Sequence, residues 1–259
     1  GIQVDVGLHR DEAYALNLGF MKRMESGLPW VTVKLAASLD GKTALSNGVS
    51  KWITGPEARR DVQRLRLRAC AIVTGIETVL ADDPSLNVRY SELGSLSSQL
   101  SEAQVLQPLR VVLDSRARMP ISAALFAIES PILLVSTVSY SSDFMAQLPA
   151  HVTCLQLPAI DGRISLPELL SYLGKSCNQV LIEAGATLAG AFIGAGLADE
   201  LVLYQAMKIL GAQGRNLLEL PDYQMMADIP TLKLVDERKV GADTRFTLRL
   251  ESNPSLANK

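Results

Sequence analysis

A predicted helix at Pro56–Arg68 carries five arginines within ten positions, a density of positive charge that suits anion binding. Residues advance by about 100° along a helix, which gives this one an apolar stripe. Arg66 falls about 40° from Val62, beside the stripe, whereas Arg60 and Arg64 face the opposite side and are expected to be solvated. A guanidinium beside a buried stripe needs an anion. The sequence leaves open whether that anion is a carboxylate of this protein or a ligand phosphate.

Two further charged residues interrupt apolar strands. Lys34 alternates with the apolar residues of the predicted strand Trp30–Ala36, and Glu183 ends the apolar run Val180–Ile182. An exposed sheet face would explain Lys34, and a helix-capping carboxylate would explain Glu183. In open α/β sheets, however, ligands bind at the carboxyl ends of strands. Such ends are occupied by Glu183, Gly75 and Ser115.

The segment Val180–Ala191 has the order of a phosphate-binding turn, with a strand, a glycine and the start of a helix. Small residues allow close approach of a ligand, and free N–H groups at a helix start attract phosphate. Gly185 and Gly190 could equally permit tight packing of the helix on the sheet. No Gly-x-Gly-x-x-Gly follows a strand, so the ordinary Rossmann fingerprint is absent. Arg116 and Arg118 suit the 2′-phosphate of NADP, although a solvated loop would also explain them.

The segment Gly75–Arg89 contains a turn signal, Asp82-Asp83-Pro84. Adjacent carboxylates in an extended segment point apart, which disfavours a paired metal site. Arg89 supplies a second possible anion ligand.

The composition excludes several classes of protein. With 25 Lys+Arg against 27 Asp+Glu, the net charge is -2, which disfavours nucleic-acid binding. The sequence has three cysteines, none in a Cys-x-x-Cys pair, and two histidines. These numbers disfavour a metal cluster and a disulfide framework. The uncharged run Ala184–Ala198 is shorter than the roughly 20 residues of a membrane span. Charges throughout the first 25 residues argue against a signal peptide, so we expect a cytoplasmic protein.

Apolar runs of strand length alternate with helical patterns, which favours an α/β fold with a mixed, mostly parallel sheet. Gly241 separates two final strands, which predicts an antiparallel pair at one edge. Asn47-Gly48 predicts a tight turn. The predicted helices are Asp11–Glu25, Pro56–Arg68, Leu166–Lys175 and Thr187–Ala195. The predicted strands are Trp30–Ala36, Cys70–Thr74, Arg110–Leu113, Ile132–Val135, Val180–Ile182, Glu200–Tyr204, Leu232–Val235 and Arg245–Leu250.

Five segments in register closely resemble the reductase domain of the bacterial bifunctional riboflavin-biosynthesis deaminase/reductase. They are Lys34–Ala44, Ser50–Thr54, Thr78–Arg89, Leu113–Ser115 and Glu183–Gly190. The resemblance covers residues 27–259 and implies a dihydrofolate-reductase-like fold, with helices on both faces of the sheet, in a homodimer. Residues 1–26 resemble the tail and linker of the deaminase domain, whose zinc signature is absent.

The resemblance also implies an activity and a set of site residues. The family uses NADPH to reduce the ribosyl group of 5-amino-6-(5-phosphoribosylamino)uracil to a ribityl chain. Carried over by motif, Ser50, Arg66 and Arg89 would bind the substrate phosphate region, and Leu86 and Glu183 would line the rest. The NADPH contacts would be Trp52, Thr78, Asp82, Ser115 and the backbone near Ala36. Its pyrophosphate would lie against Gly185, Ala186, Thr187, Leu188, Ala189, Gly190 and Ala191. We expect Glu183 to orient the opened sugar and Lys34 to stabilise the charge that develops during reduction.

Two departures from the family pattern are mild. Ala36 stands where relatives often carry another small residue, and Ala184-Gly185 where some have two glycines.

Two functions other than this reductase are compatible with the fold. A folate or pterin reductase of the same fold is disfavoured, because Ser50, Arg66 and Arg89 suit a phosphate. A non-catalytic dimerisation domain that supports a deaminase predicts no binding of NADPH.

Overall fold

A computed structural model describes residues 2–251 of the chain. The helices are α1 (Arg10–Leu16), α2 (Leu18–Ser26), α3 (Pro56–Arg68), α4 (Ile76–Asp82), α5 (Ser142–Met145), α6 (Leu166–Gly174) and α7 (Ala186–Gly194). The first strands are β1 (Trp30–Ser38), β2 (Lys42–Ala44), β3 (Ala71–Gly75), β4 (Leu109–Leu113), β5 (Ile132–Ser136) and β6 (Val152–Gln156). The later strands are β7 (Ala159–Ile160), β8 (Arg163–Ile164), β9 (Gln179–Glu183), β10 (Glu200–Ala206), β11 (Arg215–Asn216), β12 (Leu232–Val240) and β13 (Asp243–Leu250).

A nine-stranded sheet forms the centre of the molecule, in the order β12-β13-β10-β1-β9-β3-β4-β5-β6. The strands from β10 to β6 in this order pair in parallel. β13 is antiparallel to β10, and β12 is antiparallel to β13. The mixed, mostly parallel sheet and its antiparallel edge are therefore confirmed, although β12 continues to Val240, beyond its predicted end.

Helices cover both faces of the sheet. On one face, α6 and α7 pack in a core that includes Val33 and Ile182. On the other face, α4 packs over β3 and β4, and α3 packs over β10 through Val62. Because successive strand residues point to opposite faces, Lys34 lies on the α3 face, and its neighbours Val33 and Leu35 lie in the opposite core.

The single helix predicted at Asp11–Glu25 is wrong, since the chain forms α1 and α2 with a break at Asn17. The Asn17 side chain donates to the carbonyl oxygen of Ala13, a local bond that competes with helix continuation. α2 packs on the sheet so closely that a Cβ at Gly19 would lie 2.5 Å from the carbonyl oxygen of Asn178. The assignment of residues 1–26 to a deaminase tail stays a prediction.

The sequence predicted no helix in the segment after Gly75, and the extended conformation assumed for its adjacent carboxylates is wrong. Ile76–Asp82 forms α4, whose residues Ile76 and Val79 are buried one turn apart. The Asp-Asp-Pro turn begins only at the end of this helix, where Asp83 adopts the left-handed conformation.

Within residues 2–251, no helix combines the length and apolarity of a membrane span.

Candidate active site

A buried ion pair joins the last turn of α3 to the last residue of β9. Arg66 donates from Nε to Oε1 of Glu183 at 2.6 Å and from Nη2 to Oε2 at 2.9 Å, which is the bidentate arrangement of a strong pair. Each side chain is only 10% exposed. Nη1 of Arg66 donates to the carbonyl oxygen of Asn87 at 2.9 Å. The anion at Arg66 is thus a carboxylate of this protein, and helix capping does not explain Glu183.

Lys34 lies opposite Glu183, because the parallel register of β1 and β9 pairs these two residues. Burial lowers the pKa of Lys34 below its ordinary value. The charge of Glu183 opposes this shift, and the charge of Arg66 adds to it. An exposed sheet face therefore does not explain Lys34. Its ammonium group gives up a proton more readily than that of an ordinary lysine.

Glu183 remains a carboxylate at neutral pH. Burial alone would raise its pKa, but the guanidinium of Arg66 and the charge of Lys34 hold the pKa below the ordinary value. Burial would likewise lower the pKa of Arg66, and Glu183 more than offsets this. We call these three residues the charged cluster. It combines an acceptor for substrate hydroxyl groups with an ammonium group able to release a proton.

The loop at residues 84–89, here the 84–89 loop, passes beside the charged cluster at Asn87. Arg89 leaves 54% of its side chain exposed while Nη1 donates to Oε1 of Glu92 at 2.6 Å. Leu86 has a φ of 51°, and the whole residue is only 3% exposed within the core under β3 and β4. Leu86 therefore presents little surface to a ligand, and its predicted role in lining the substrate site stays a prediction.

Ser50 and Trp52 lie on the loop between β2 and α3, which is tied to neighbouring elements at several points. Nζ of Lys51 lies 3.3 Å from Oδ1 of Asp82 at the end of α4. Nζ of Lys208 donates to the carbonyl oxygen of Trp52 at 2.8 Å. The Trp52 side chain is 61% exposed. The structure thus brings Trp52 and Asp82, both predicted cofactor residues, onto adjoining segments.

The other predicted cofactor residues follow the carboxyl ends of four adjacent parallel strands. Ala36 lies near the end of β1, Thr78 lies in α4 after β3, Ser115 follows β4 and Gly185 follows β9. Ligands of open α/β sheets bind at this edge. The order β1-β9-β3-β4 therefore brings these distant segments to one edge of the sheet. Their binding of a cofactor stays a prediction.

The start of α7 is open, and its middle is closely packed. No side chain caps the helix at Gly185, and a Cβ there would meet no atom within 4 Å. Ala189 and Gly190 are buried, and a Cβ at Gly190 would lie 2.0 Å from the carbonyl oxygen of Glu219. Gly185 therefore leaves room for a ligand at the helix N-terminus, whereas Gly190 permits tight packing.

The comparison with protein families decides the family. The model described as the RibD C-terminal domain matches residues 29–246. This chain belongs to the RibD C-terminal domain family.

The relatives extend this assignment. The riboflavin biosynthesis protein RibD of Escherichia coli is 44% identical over 245 residues, which cover 94% of this chain and 66% of that protein. The 5-amino-6-(5-phosphoribosylamino)uracil reductase of Buchnera aphidicola is 34% identical, and the match covers 79% of this chain and 98% of that protein. A solved structure of RibD from Acinetobacter baumannii has a TM-score of 0.85 and 38% identity, over 97% of this chain and 66% of that chain. This chain thus spans just under two thirds of the length of these RibD proteins. The similarity of the solved structure confirms the predicted fold.

In this member of the RibD C-terminal domain family, three side chains that the sequence did not point to bind predicted site residues or the loop that carries them. Gln63 accepts from the backbone of Arg89, and Gln107 binds the backbone of the 84–89 loop. Oε2 of Glu219 accepts from the Thr187 hydroxyl at 2.6 Å. A sequence signal exists for Gln63, which lies about 60° from Arg66 on the wheel of α3. Gln107 and Glu219 lie in irregular segments, where no periodicity points to them.

Proposed function

We propose that this chain reduces the ribosyl group of 5-amino-6-(5-phosphoribosylamino)uracil to a ribityl chain, with NADPH as cofactor. The observation that carries the proposal is the charged cluster of Lys34, Arg66 and Glu183, which lies on the sheet beside the open start of α7. The Buchnera aphidicola relative named for this reaction matches over 98% of its length, which also supports the proposal.

The residues at the carboxyl ends of the strands fit a nicotinamide dinucleotide. The N-terminus of α7 offers uncapped N–H groups beside Gly185, where a pyrophosphate would bind. Exposed Arg116 follows Ser115 and suits a 2′-phosphate, while Arg118 is already paired with Glu77. When bound, NADPH supplies the hydride. We therefore assign Arg116 the larger part in selecting NADPH over NADH.

The chain's own residues then position the substrate and move a proton. The Glu183 carboxylate accepts hydrogen bonds from hydroxyl groups of the opened ribose. Lys34 stabilises the charge that develops on the substrate and is placed to donate a proton to it. Ser50 and Arg89 bind the substrate phosphate. Each terminal nitrogen of Arg66 has a second N–H beyond those that bind Glu183 and Asn87, and these complete the phosphate site.

The same resemblance supports three further parts of the proposal. We assign the intact protein a deaminase domain, because this chain matches 66% of the length of Escherichia coli RibD. We also propose a homodimer in the cytoplasm. Sedimentation equilibrium of the purified chain tests the dimer, and a mass of one chain would contradict it.

A comparison of substrates tests the proposed activity. We expect the purified chain to oxidise NADPH with 5-amino-6-(5-phosphoribosylamino)uracil and to leave dihydrofolate and unphosphorylated pterins unreduced. Faster oxidation with a folate would favour a pterin reductase. A fluorescence titration with NADPH tests the non-catalytic alternative, which predicts no binding.

A further inference from the structure

The 84–89 loop contains two of the residues to which we assign substrate binding, Leu86 and Arg89, yet it forms neither helix nor strand. Side chains from the surrounding scaffold hold its backbone instead. Arg110 donates to the carbonyl oxygen of Ser85 at 3.3 Å, and Arg66 donates to that of Asn87 at 2.9 Å. Two glutamines bind the remaining half of the loop, and neither has a role in the family resemblance described above.

Gln107 binds Val88 in the manner of a neighbouring strand. Its Oε1 accepts from the backbone N–H of Val88 at 2.8 Å, and its Nε2 donates to the carbonyl oxygen of Val88 at 2.9 Å. The Val88 residue is 2% exposed. Buried backbone groups are costly when they lack a partner. The side-chain amide of Gln107 thus replaces the backbone partner that a sheet would supply.

Gln63, on α3, binds the end of the loop. Its Oε1 accepts from the backbone N–H of Arg89 at 3.0 Å, and its Nε2 donates to Oε2 of Glu92 at 3.1 Å. The other oxygen of Glu92 binds the Arg89 guanidinium. Gln63 is itself 2% exposed. One buried amide therefore orients both the backbone of Arg89 and the carboxylate that holds its side chain.

We propose that Gln107 and Gln63 are positioning residues for substrate phosphate binding, acting through Val88 and Arg89. The inference rests on the proposed function, because it takes Arg89 as a phosphate ligand. Without the two amides, the 84–89 loop would have to order its backbone when the substrate binds, and the affinity would fall by the cost of that ordering. The bidentate pair of Arg66 with Glu183, the register of Lys34 and the start of α7 do not depend on these two amides, so turnover at saturation and NADPH binding would be preserved.

Steady-state kinetics of Gln107→Met and Gln107→Glu test this inference, with Gln104→Met as the matched control. Gln104 lies on the same segment, but among residues 2–251 its side chain hydrogen-bonds to Ser101 and not to the 84–89 loop. We expect Gln107→Met to raise the substrate KM about tenfold, as befits the loss of two hydrogen bonds, with kcat and the KM for NADPH within about twofold of wild type. Gln104→Met should leave all three constants unchanged.

Gln107→Glu supplies a readout that lost stability alone would not produce. Its ionised carboxylate would repel the carbonyl oxygen of Val88, whereas the protonated form would again both donate and accept. The substrate KM of Gln107→Glu should therefore fall toward the wild-type value as the pH is lowered through the pKa of the new carboxyl. If circular dichroism shows that Gln107→Met is unfolded, Gln107→Glu still tests the inference.

The outcomes separate the inference from the proposed function. No turnover by wild type would overturn the proposed function. With wild type active, a wild-type substrate KM in the folded Gln107→Met variant would overturn the inference. An equal loss of kcat and NADPH affinity would do the same, because it would show a general structural role. A pH-independent KM defect in Gln107→Glu would also contradict it.

Discussion

Lys34 and Glu183 are paired in register on adjacent parallel strands, and Arg66 binds the carboxylate of Glu183 with two hydrogen bonds. The charges of both cations act on this one carboxylate, on a largely buried face of the sheet. Its charge is maintained, while the ammonium group of Lys34 is made more acidic. Such a pairing of groups with shifted pKa values is characteristic of functional sites.

Removal of the charge of Lys34 or of Glu183 should slow the chemical step. We expect Lys34→Ala and Glu183→Gln each to lower kcat by about 10²-fold or more. The first removes the proposed proton donor, and the second removes the carboxylate that orients the opened sugar. NADPH binding should change little, since neither residue lies at the start of α7. Stopped-flow or steady-state NADPH oxidation measures the effect. Lys233→Ala, on exposed β12, is the matched control. Near-normal turnover in both variants would refute the assigned roles.

Arg66 should matter more for the substrate than for the cofactor. We expect Arg66→Ala to raise the substrate KM strongly and to leave the Kd for NADPH almost unchanged. Because it strands a buried carboxylate, it should also lower the free energy of unfolding by about 3–5 kcal/mol. Arg66→Lys preserves the charge and tests whether the bidentate geometry is needed. Arg64→Ala, on the exposed side of α3, is the control. Equal weakening of both ligands would indicate a purely structural arginine.

The pH dependence of turnover should reveal the lowered pKa of Lys34. If Lys34 acts as a protonated donor, kcat falls as the pH rises through its pKa, which burial places below the ordinary value of about 10.4. Lys34→Arg stays charged throughout this range and should lose that limb of the profile. A wild-type profile whose alkaline limb is unchanged in Lys34→Arg would assign the titration to another group.

Two glycines of the same helical segment should respond differently to the same substitution. Gly185→Ala introduces a methyl group into open space, so the free energy of unfolding should stay constant while the Kd for NADPH rises. Gly190→Ala forces a Cβ against the backbone of Glu219 and should lower the free energy of unfolding. Thermal unfolding and NADPH titration separate the two effects. Unchanged NADPH affinity in Gly185→Ala would remove the start of α7 from the cofactor site.

Periodicity predicted the elements that carry the site but not the contacts between them. The apolar run before Glu183 and the helical wheel of Arg66 correctly predicted β9 and α3. The two residues lie 117 positions apart, so no local pattern could show that they bind each other. Two local patterns led to wrong predictions. The turn signal Asp-Asp-Pro gave no indication of the helix α4 before it. The apolar pattern of Asp11–Glu25 is continuous, yet the helix is broken at Asn17. Gln107 acts through an irregular loop and had no signal at all.

Transfer of label from NADPH to product tests the central claim most directly. The purified chain would be incubated with NADPH that carries deuterium at both C4 positions of the nicotinamide and with 5-amino-6-(5-phosphoribosylamino)uracil. The account predicts a ribitylamino product that carries deuterium on the former anomeric carbon, by mass spectrometry and NMR. NADPH oxidation without deuterium in that product, or no oxidation at all, would contradict it.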